Sequence, residues 1–146
     1  MTQVDFYQLT RDPAHVVLPA IAQRVLDEGR RLVIVSADMG QLKSISSSLW
    51  GWKAESFLAH DRVGKGGEAE QPILLSQSPA AMNSARLVAL ADGAWRDEAL
   101  EFDRVFYLFP PQNTGEARAA WKRLGAREGI DRRYWKQDGG RWMQGP

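Results

Sequence analysis

The chain of 146 residues is 44% hydrophobic and 25% charged, which fits a folded globular protein and excludes a mainly disordered or collagen-like chain. It has no cysteine, so disulfides, thiolate catalysis and cysteine zinc sites are excluded. The net charge of +1 hides an asymmetry, because residues 114–146 hold eight basic and four acidic side chains while residues 1–113 hold eleven and fourteen. A basic end on an acidic body predicts an anionic partner for the C-terminal part.

The first fifty residues predict two successive β-α units. Residues 4–9 are predicted to form a strand, followed by a helix that begins at Asp12-Pro13 and ends at Gly29. Residues 32–35 are apolar and β-branched, as in a strand buried on both faces. Residues 39–49 carry the apolar stripe of a second helix. This order predicts a parallel α/β sheet.

The rest of the chain continues this alternation less regularly. Four further segments are predicted as strands, namely residues 56–58, 73–75, 87–90 and 105–109. Thr114 is predicted to cap a last helix that ends at Gly129, and residues 134–137 predict a terminal edge strand or tail. We therefore expect one α/β domain over residues 1–146, three-layered, with a mainly parallel central sheet.

Only the β-α-β-α order of the predicted elements favours a nucleotide-binding enzyme. In the glycine-rich loop at residues 63–67, Lys65 lies among the glycines instead of after them, and Glu68 and Glu70 follow. The junction at residues 35–38 lacks the glycine fingerprint of a dinucleotide site. His60 beside Asp61 could act as a general base, but a structural role is favoured. No phosphate-binding loop, catalytic residue or metal site is predicted.

No signal peptide is visible in the sequence, and no apolar run approaches the ~18–20 residues of a membrane span. We therefore expect a cytoplasmic protein without a membrane partner.

Arg118, Trp121 and Lys122 are predicted to share one face of the last helix, since they are spaced three and four residues apart. An aromatic ring between two cations suits a ligand that carries a carboxylate beside an apolar group. The same trio suits single-stranded nucleic acid, whose bases stack on aromatic rings. A third alternative places Trp121 in the core, with both charges solvated.

Several pieces of the sequence, in the same order along the chain, resemble the chi subunit of bacterial DNA polymerase III. They are residues 4–7, residues 29–34, Leu49-Trp50, residues 55–60, residues 72–75, Trp121-Lys122 and Tyr134-Trp135. The resemblance implies a Rossmann-like, non-enzymatic subunit of the clamp-loader assembly, without a nucleotide site or cofactor.

The resemblance also implies two protein partners. One is a psi subunit, which connects the chain to the clamp loader. The other is the acidic, phenylalanine-ended C-terminal tail of single-stranded-DNA-binding protein, so that contact with DNA is mainly indirect. The implied tail-binding positions are Trp50, Phe57, Phe109, Arg118, Trp121 and Lys122. Of these, the two cations would bind the terminal carboxylate and tail acids, and Phe57, Phe109 and Trp121 would form the pocket for the terminal phenylalanine.

His60 matches a position of the family but is given no role. Direct binding of single-stranded nucleic acid, and less favourably a nucleotide-binding enzyme, stay open as alternatives.

Overall fold

The computed structural model describes residues 2–52, 58–138 and 141–145, and in them eight strands form one sheet. The strands are β1 (Thr2–Gln8), β2 (Leu32–Val35), β3 (His60–Arg62), β4 (Ile73–Ser76), β5 (Leu87–Leu90), β6 (Arg104–Phe109), β7 (Ile130–Asp138) and β8 (Arg141–Gln144). The α-helices of this described part are α1 (Ala14–Asp27), α2 (Met39–Trp50) and α3 (Thr114–Gly125).

The strand order is β3-β4-β2-β5-β6-β1-β7-β8, and every pair is parallel except the antiparallel pair β7-β8. Helices α1 and α2 pack on one face of the sheet through residues such as Leu18 and Ile45. Helix α3 packs on the opposite face through Ala117, Ala120 and Leu124. We call these the α1/α2 face and the α3 face. The predicted three-layer α/β class with a mainly parallel sheet is confirmed.

The predicted elements agree with the structure in most places and differ in several. Thr114 does not cap the last helix, because Asn113 occupies the N-cap and Thr114 is the first helical residue. Leu58 is buried but lies outside any strand, and the third strand starts at His60; Ser56 and Phe57 lie outside the described residues. Helix α3 ends at Gly125, four residues before Gly129. The segment predicted as a terminal edge strand belongs to β7, which lies between β1 and β8.

Helix α1 illustrates which helix signals are reliable in this sequence. Gly29 follows the helix with φ of +72°, and its N–H donates to the carbonyl of Leu26 at 2.9 Å, as a C-terminal glycine is expected to do. The predicted start is wrong by one residue, because Pro13 occupies the N-cap and the helix begins at Ala14. The carboxylate of Asp12 instead accepts a hydrogen bond from Gln137 in β7.

Strand β1 carries a fully buried charge on the α1/α2 face of the sheet. The carboxylate of Asp5 is 0% exposed and forms an ion pair with Nε of Arg104 at 2.8 Å. It also accepts hydrogen bonds from Gln3 at 3.1 Å and from the indole of Trp135 at 3.2 Å. Because these donors come from β1, β6 and β7, Asp5 connects the three strands at the centre of this half of the sheet.

Replacement of Asp5 by alanine is expected to lower the free energy of unfolding by about 3 kcal/mol, since removing one partner of a buried pair leaves the other uncompensated. Urea unfolding monitored by tryptophan fluorescence measures this loss. Asp103→Ala is the matched control, because that carboxylate pairs with Arg86 on the surface and should matter much less. Equal losses in the two variants would contradict the structural importance of Asp5.

Candidate functional site

A pocket of about 400 Å³ lies on the α3 face, where β1 ends beside β7. We call it the α3 pocket. Its lining residues are Gln8, Arg118, Trp121, Tyr134, Lys136 and Gly145. They come from β1, α3, β7 and the residue that follows β8, so the tertiary fold assembles the pocket from distant parts of the chain. Its volume is within the range of about 300–1,000 Å³ that is common for small ligand sites.

The apolar wall of the α3 pocket consists of the Trp121 and Tyr134 rings. Their centroids lie 5.6 Å apart, with the planes nearly perpendicular at 86°. Both rings contact Phe6 of β1, at 5.2 Å and 6.3 Å. The hydroxyl of Tyr134 donates to Oε1 of Gln8, which fixes the polar end of this ring. The wall is therefore anchored in the core, and a ligand would meet two preoriented aromatic rings.

Positive charge surrounds this wall on several sides. Arg118 and Lys136 are exposed and line the pocket. Arg132 stacks over the Trp121 ring at 4.1 Å and donates to the backbone carbonyl of Trp121. Burial raises the pKa of Tyr134, and the charge of Arg118 opposes this shift. Cations beside aromatic rings suit a ligand that carries an anionic group next to an apolar one.

Gly125, the last residue of α3, makes room for Arg132. A Cβ atom at this position would lie 2.6 Å from the guanidinium carbon of Arg132, closer than van der Waals contact allows. The glycine that ends α3 therefore permits the stacking of Arg132 on Trp121.

The structure brings together only part of the predicted site. Arg118 and Trp121 both line the α3 pocket, whereas Lys122 is exposed on α3 but does not line it. Phe109 is 0% exposed, and its ring lies 6.0 Å from that of Tyr134, so it supports the wall from below and does not face the pocket. Trp50 is 54% exposed at the end of α2, on the other face of the sheet. Phe57 lies outside the described residues.

Sequence reasoning missed Tyr134, Lys136 and Arg132 as neighbours of Trp121. A signal for them was present, because alternate residues of a strand point to the same face. These three occupy even positions of β7, on the face against which α3 packs. The predicted edge strand or tail covered only residues 134–137, so it left out Arg132 and showed too little of this alternation.

A larger crevice of about 580 Å³ lies at the carboxyl ends of the parallel strands, where doubly wound sheets commonly bind ligands. The backbone N–H groups of Thr10, Arg11 and Asp12 in the β1–α1 loop donate to one acceptor, Oε1 of Gln137, at 3.1, 3.1 and 3.2 Å. Converging amides of this kind are what a phosphate requires. Here the side chain of Gln137 occupies them, which argues against a nucleotide at this loop.

The carboxylates of the same crevice and of the glycine-rich loop also argue against phosphate binding. The carboxylates of Asp12, Asp38 and Asp92 belong to residues that line the crevice and would repel phosphate. In the glycine-rich loop, the N–H of Gly64 donates to the carboxylate of Glu68 at 2.9 Å. The carboxylate of Glu68 thus stabilises the loop as a turn between β3 and β4. Because the N–H of Gly64 already donates to this carboxylate, it is not free to bind a phosphate.

His60 is a buried structural residue in β3. It is 7% exposed; its Nδ1 donates to the carbonyl of Leu58 at 2.7 Å, and its Nε2 accepts from the hydroxyl of Ser46 at 2.8 Å. Its ring lies 4.5 Å from that of Trp50. Nε2 thus joins β3 to α2, and Nδ1 binds the chain just before β3. Because both ring nitrogens have these partners, the ring is not arranged with Asp61 as a general base.

Within residues 2–52, 58–138 and 141–145, no helix has the length and apolarity needed to cross a bilayer. The same part of the chain has no group of three or more histidine, aspartate or glutamate side chains placed to hold a metal ion.

Comparison with known proteins points to one family. The family model for the DNA polymerase III chi subunit, HolC, matches residues 1–131. The chain is 27% identical over 123 residues to the DNA polymerase III subunit chi of Escherichia coli (strain K12), a match that covers 78% of this chain and 83% of that protein. It is 28% identical over 82 residues to the same subunit of Pseudomonas aeruginosa, covering 54% and 58%.

The burial of His60 predicts a pH-dependent stability. Burial lowers the pKa of His60 below its ordinary value of 6.5, against the opposing effects of the Leu58 carbonyl and Asp61. The native state therefore binds fewer protons than the unfolded state just below pH 6.5, so stability is full above this value and falls as the pH decreases. Thermal melts at pH 7.5 and 5.5 should show a smaller decrease in Tm for His60→Asn than for wild type.

His15→Asn is the control for this measurement, because it removes the other histidine of the chain. It should retain the pH dependence of the wild type. The same decrease in all three proteins would contradict the prediction for His60.

Proposed function

Since the chain belongs to the DNA polymerase III chi subunit family, we propose that it is a non-catalytic accessory subunit that connects single-stranded-DNA-binding protein to the clamp loader. The observation that carries this proposal is the α3 pocket of about 400 Å³, which is lined by the guanidinium-bearing Arg118 and by two aromatic rings. The ligand of the pocket is the acidic C-terminal tail of single-stranded-DNA-binding protein, which ends in phenylalanine.

Each part of such a tail has a counterpart in the pocket. The planar fork of Arg118 takes the terminal carboxylate in a bidentate arrangement. The rings of Trp121 and Tyr134 pack on the terminal phenyl group, for which a perpendicular pair of rings offers both face and edge contacts. Phe109 acts indirectly, by supporting Tyr134 from the core. The excess of basic residues in the last part of the chain attracts the acidic residues of the tail.

The remaining assignments follow from this role. A psi-type subunit joins the chain to the clamp loader, contact with DNA passes mainly through the tail-bearing partner, and the assembly works in the cytoplasm. Lys122 is exposed on α3 and contributes long-range attraction outside the pocket. Trp50, on the other face, is not assigned to the same pocket.

Titration of the full chain with a labelled acidic peptide ending in phenylalanine tests the proposal. Arg118→Ala is expected to weaken binding by about tenfold or more, because a hydrogen-bonded charge contributes strongly. Fluorescence anisotropy at low and moderate salt measures the affinity, which should fall as salt rises. Arg123→Ala is the matched control, since it removes the same charge from the same helix away from the pocket lining.

A peptide with an amidated C-terminus separates the carboxylate from the rest of the tail. Wild type should lose affinity for it, and Arg118→Ala should bind both peptides alike. No binding of the acidic peptide to folded wild type would exclude this function. Tight binding of a single-stranded oligonucleotide without peptide binding would favour the nucleic-acid alternative.

A further inference from the structure

The C-terminal hairpin formed by β7 and β8 supplies half of the residues that line the α3 pocket. Tyr134, Lys136 and Gly145 come from it, and Gln8, Arg118 and Trp121 come from the rest of the chain. The family match ends at residue 131, near the start of β7. One wall of the pocket is therefore built from residues beyond the stretch that the family model matches.

This hairpin is attached firmly to the body of the protein. Oε1 of Gln137 accepts hydrogen bonds from three backbone N–H groups of the β1–α1 loop. Its Nε2 donates to the carboxylate of Asp12 at 2.8 Å. The hydroxyl of Thr10 donates to the backbone carbonyl of Gln137, also at 2.8 Å. On the same face Trp142 packs edge-on against Tyr7 at 5.0 Å. Lys136, which precedes Gln137, thus projects from a fixed strand and not from a loose tail.

The hairpin presents a cation and an apolar side chain beside the pocket. Lys136 pairs in register with Met143 of β8, so the two side chains lie on the same face of the hairpin. Met143 is 54% exposed. Further from the pocket along this face, Asp138 is opposite Arg141 in register, so their charges offset each other. Of the cations near the two rings, Arg118 and Lys136 line the pocket, whereas Arg132 is stacked on Trp121.

The two cations occupy different elements and fit different groups of a ligand. The terminal residue of a peptide carries one α-carboxylate, for which the guanidinium fork of Arg118 on α3 is suited. The ammonium group of Lys136 is a flexible point charge on β7 and is available to a second carboxylate. An acidic tail offers such a group in the residues just before its terminal one.

We propose that Lys136 is a specificity-determining residue of the α3 pocket, which binds a side-chain carboxylate upstream of the terminal residue of the tail. The hairpin thereby distinguishes acidic tails from neutral tails that end in the same residue. This inference rests on the proposed function, because it assigns the second cation of the same site.

Affinities of the full chain for two labelled peptides test this role. Both peptides end in phenylalanine with a free carboxylate; one carries aspartates before it, and the other carries asparagines at the same positions. Lys136→Gln is expected to weaken binding of the acidic peptide by about two- to fivefold at low salt, the usual size for an exposed ion pair. The asparagine peptide should bind wild type and Lys136→Gln equally, and Lys136→Arg should retain the preference.

Arg133→Gln is the matched control, because it removes one positive charge from the opposite face of the same strand. It should leave the preference for the acidic peptide unchanged. Equal affinity of wild type and Lys136→Gln for the acidic peptide, or equal losses for both peptides, would overturn the inference. If Lys136→Gln had no such effect but Arg118→Ala still abolished most of the binding, the proposed function would stand without the role of Lys136. Absence of any peptide binding to wild type would overturn both the proposed function and the role of Lys136.

Discussion

The packing of aromatic rings around Phe6 holds the α3 pocket in place. Phe6 is fully buried in β1, and its ring contacts those of Trp121 on α3, Tyr134 on β7 and Tyr107 on β6. Since β1 lies between β6 and β7 in the sheet, this one side chain touches both neighbouring strands and the helix above them. The rings that line the pocket are thus the outer layer of the core, and their geometry is a consequence of its packing.

The opposite side of β1 explains why the backbone amides of the β1–α1 loop are already occupied. Asp5 points to the α1/α2 face and joins β1 to Arg104 and Trp135. On that face Oε1 of Gln137 accepts hydrogen bonds from the converging amides of the β1–α1 loop, the kind of group that binds phosphate in other proteins. The two faces of β7 therefore make different contacts. Tyr134 and Lys136 line the pocket on one face. On the other face Trp135 donates to Asp5 of β1, and Gln137 accepts from the β1–α1 loop.

Much of the fold and part of the site were predictable from the sequence. The apolar run at residues 32–35 indicated a strand buried on both faces because every side chain in it is apolar. Arg118 and Trp121 could be placed together because a spacing of three residues on a helix brings side chains to one face. The same spacing also placed Lys122 on this face of α3, and it could not predict that Lys122 lies outside the pocket. Which residues of α3 line the pocket depends on where β7 and β8 lie.

The sequence by itself determined the α/β class, the order of most elements and the local pairing of Arg118 with Trp121, because these depend on periodicity within short segments. Only the tertiary structure decided which distant residues complete the site. Whether Phe109 faced the pocket or the core depended on strand order, and the stacking of Arg132 on Trp121 depended on the return of β7 after Gly125. Contacts between residues far apart in the chain follow from sheet order and register, which no local pattern specifies.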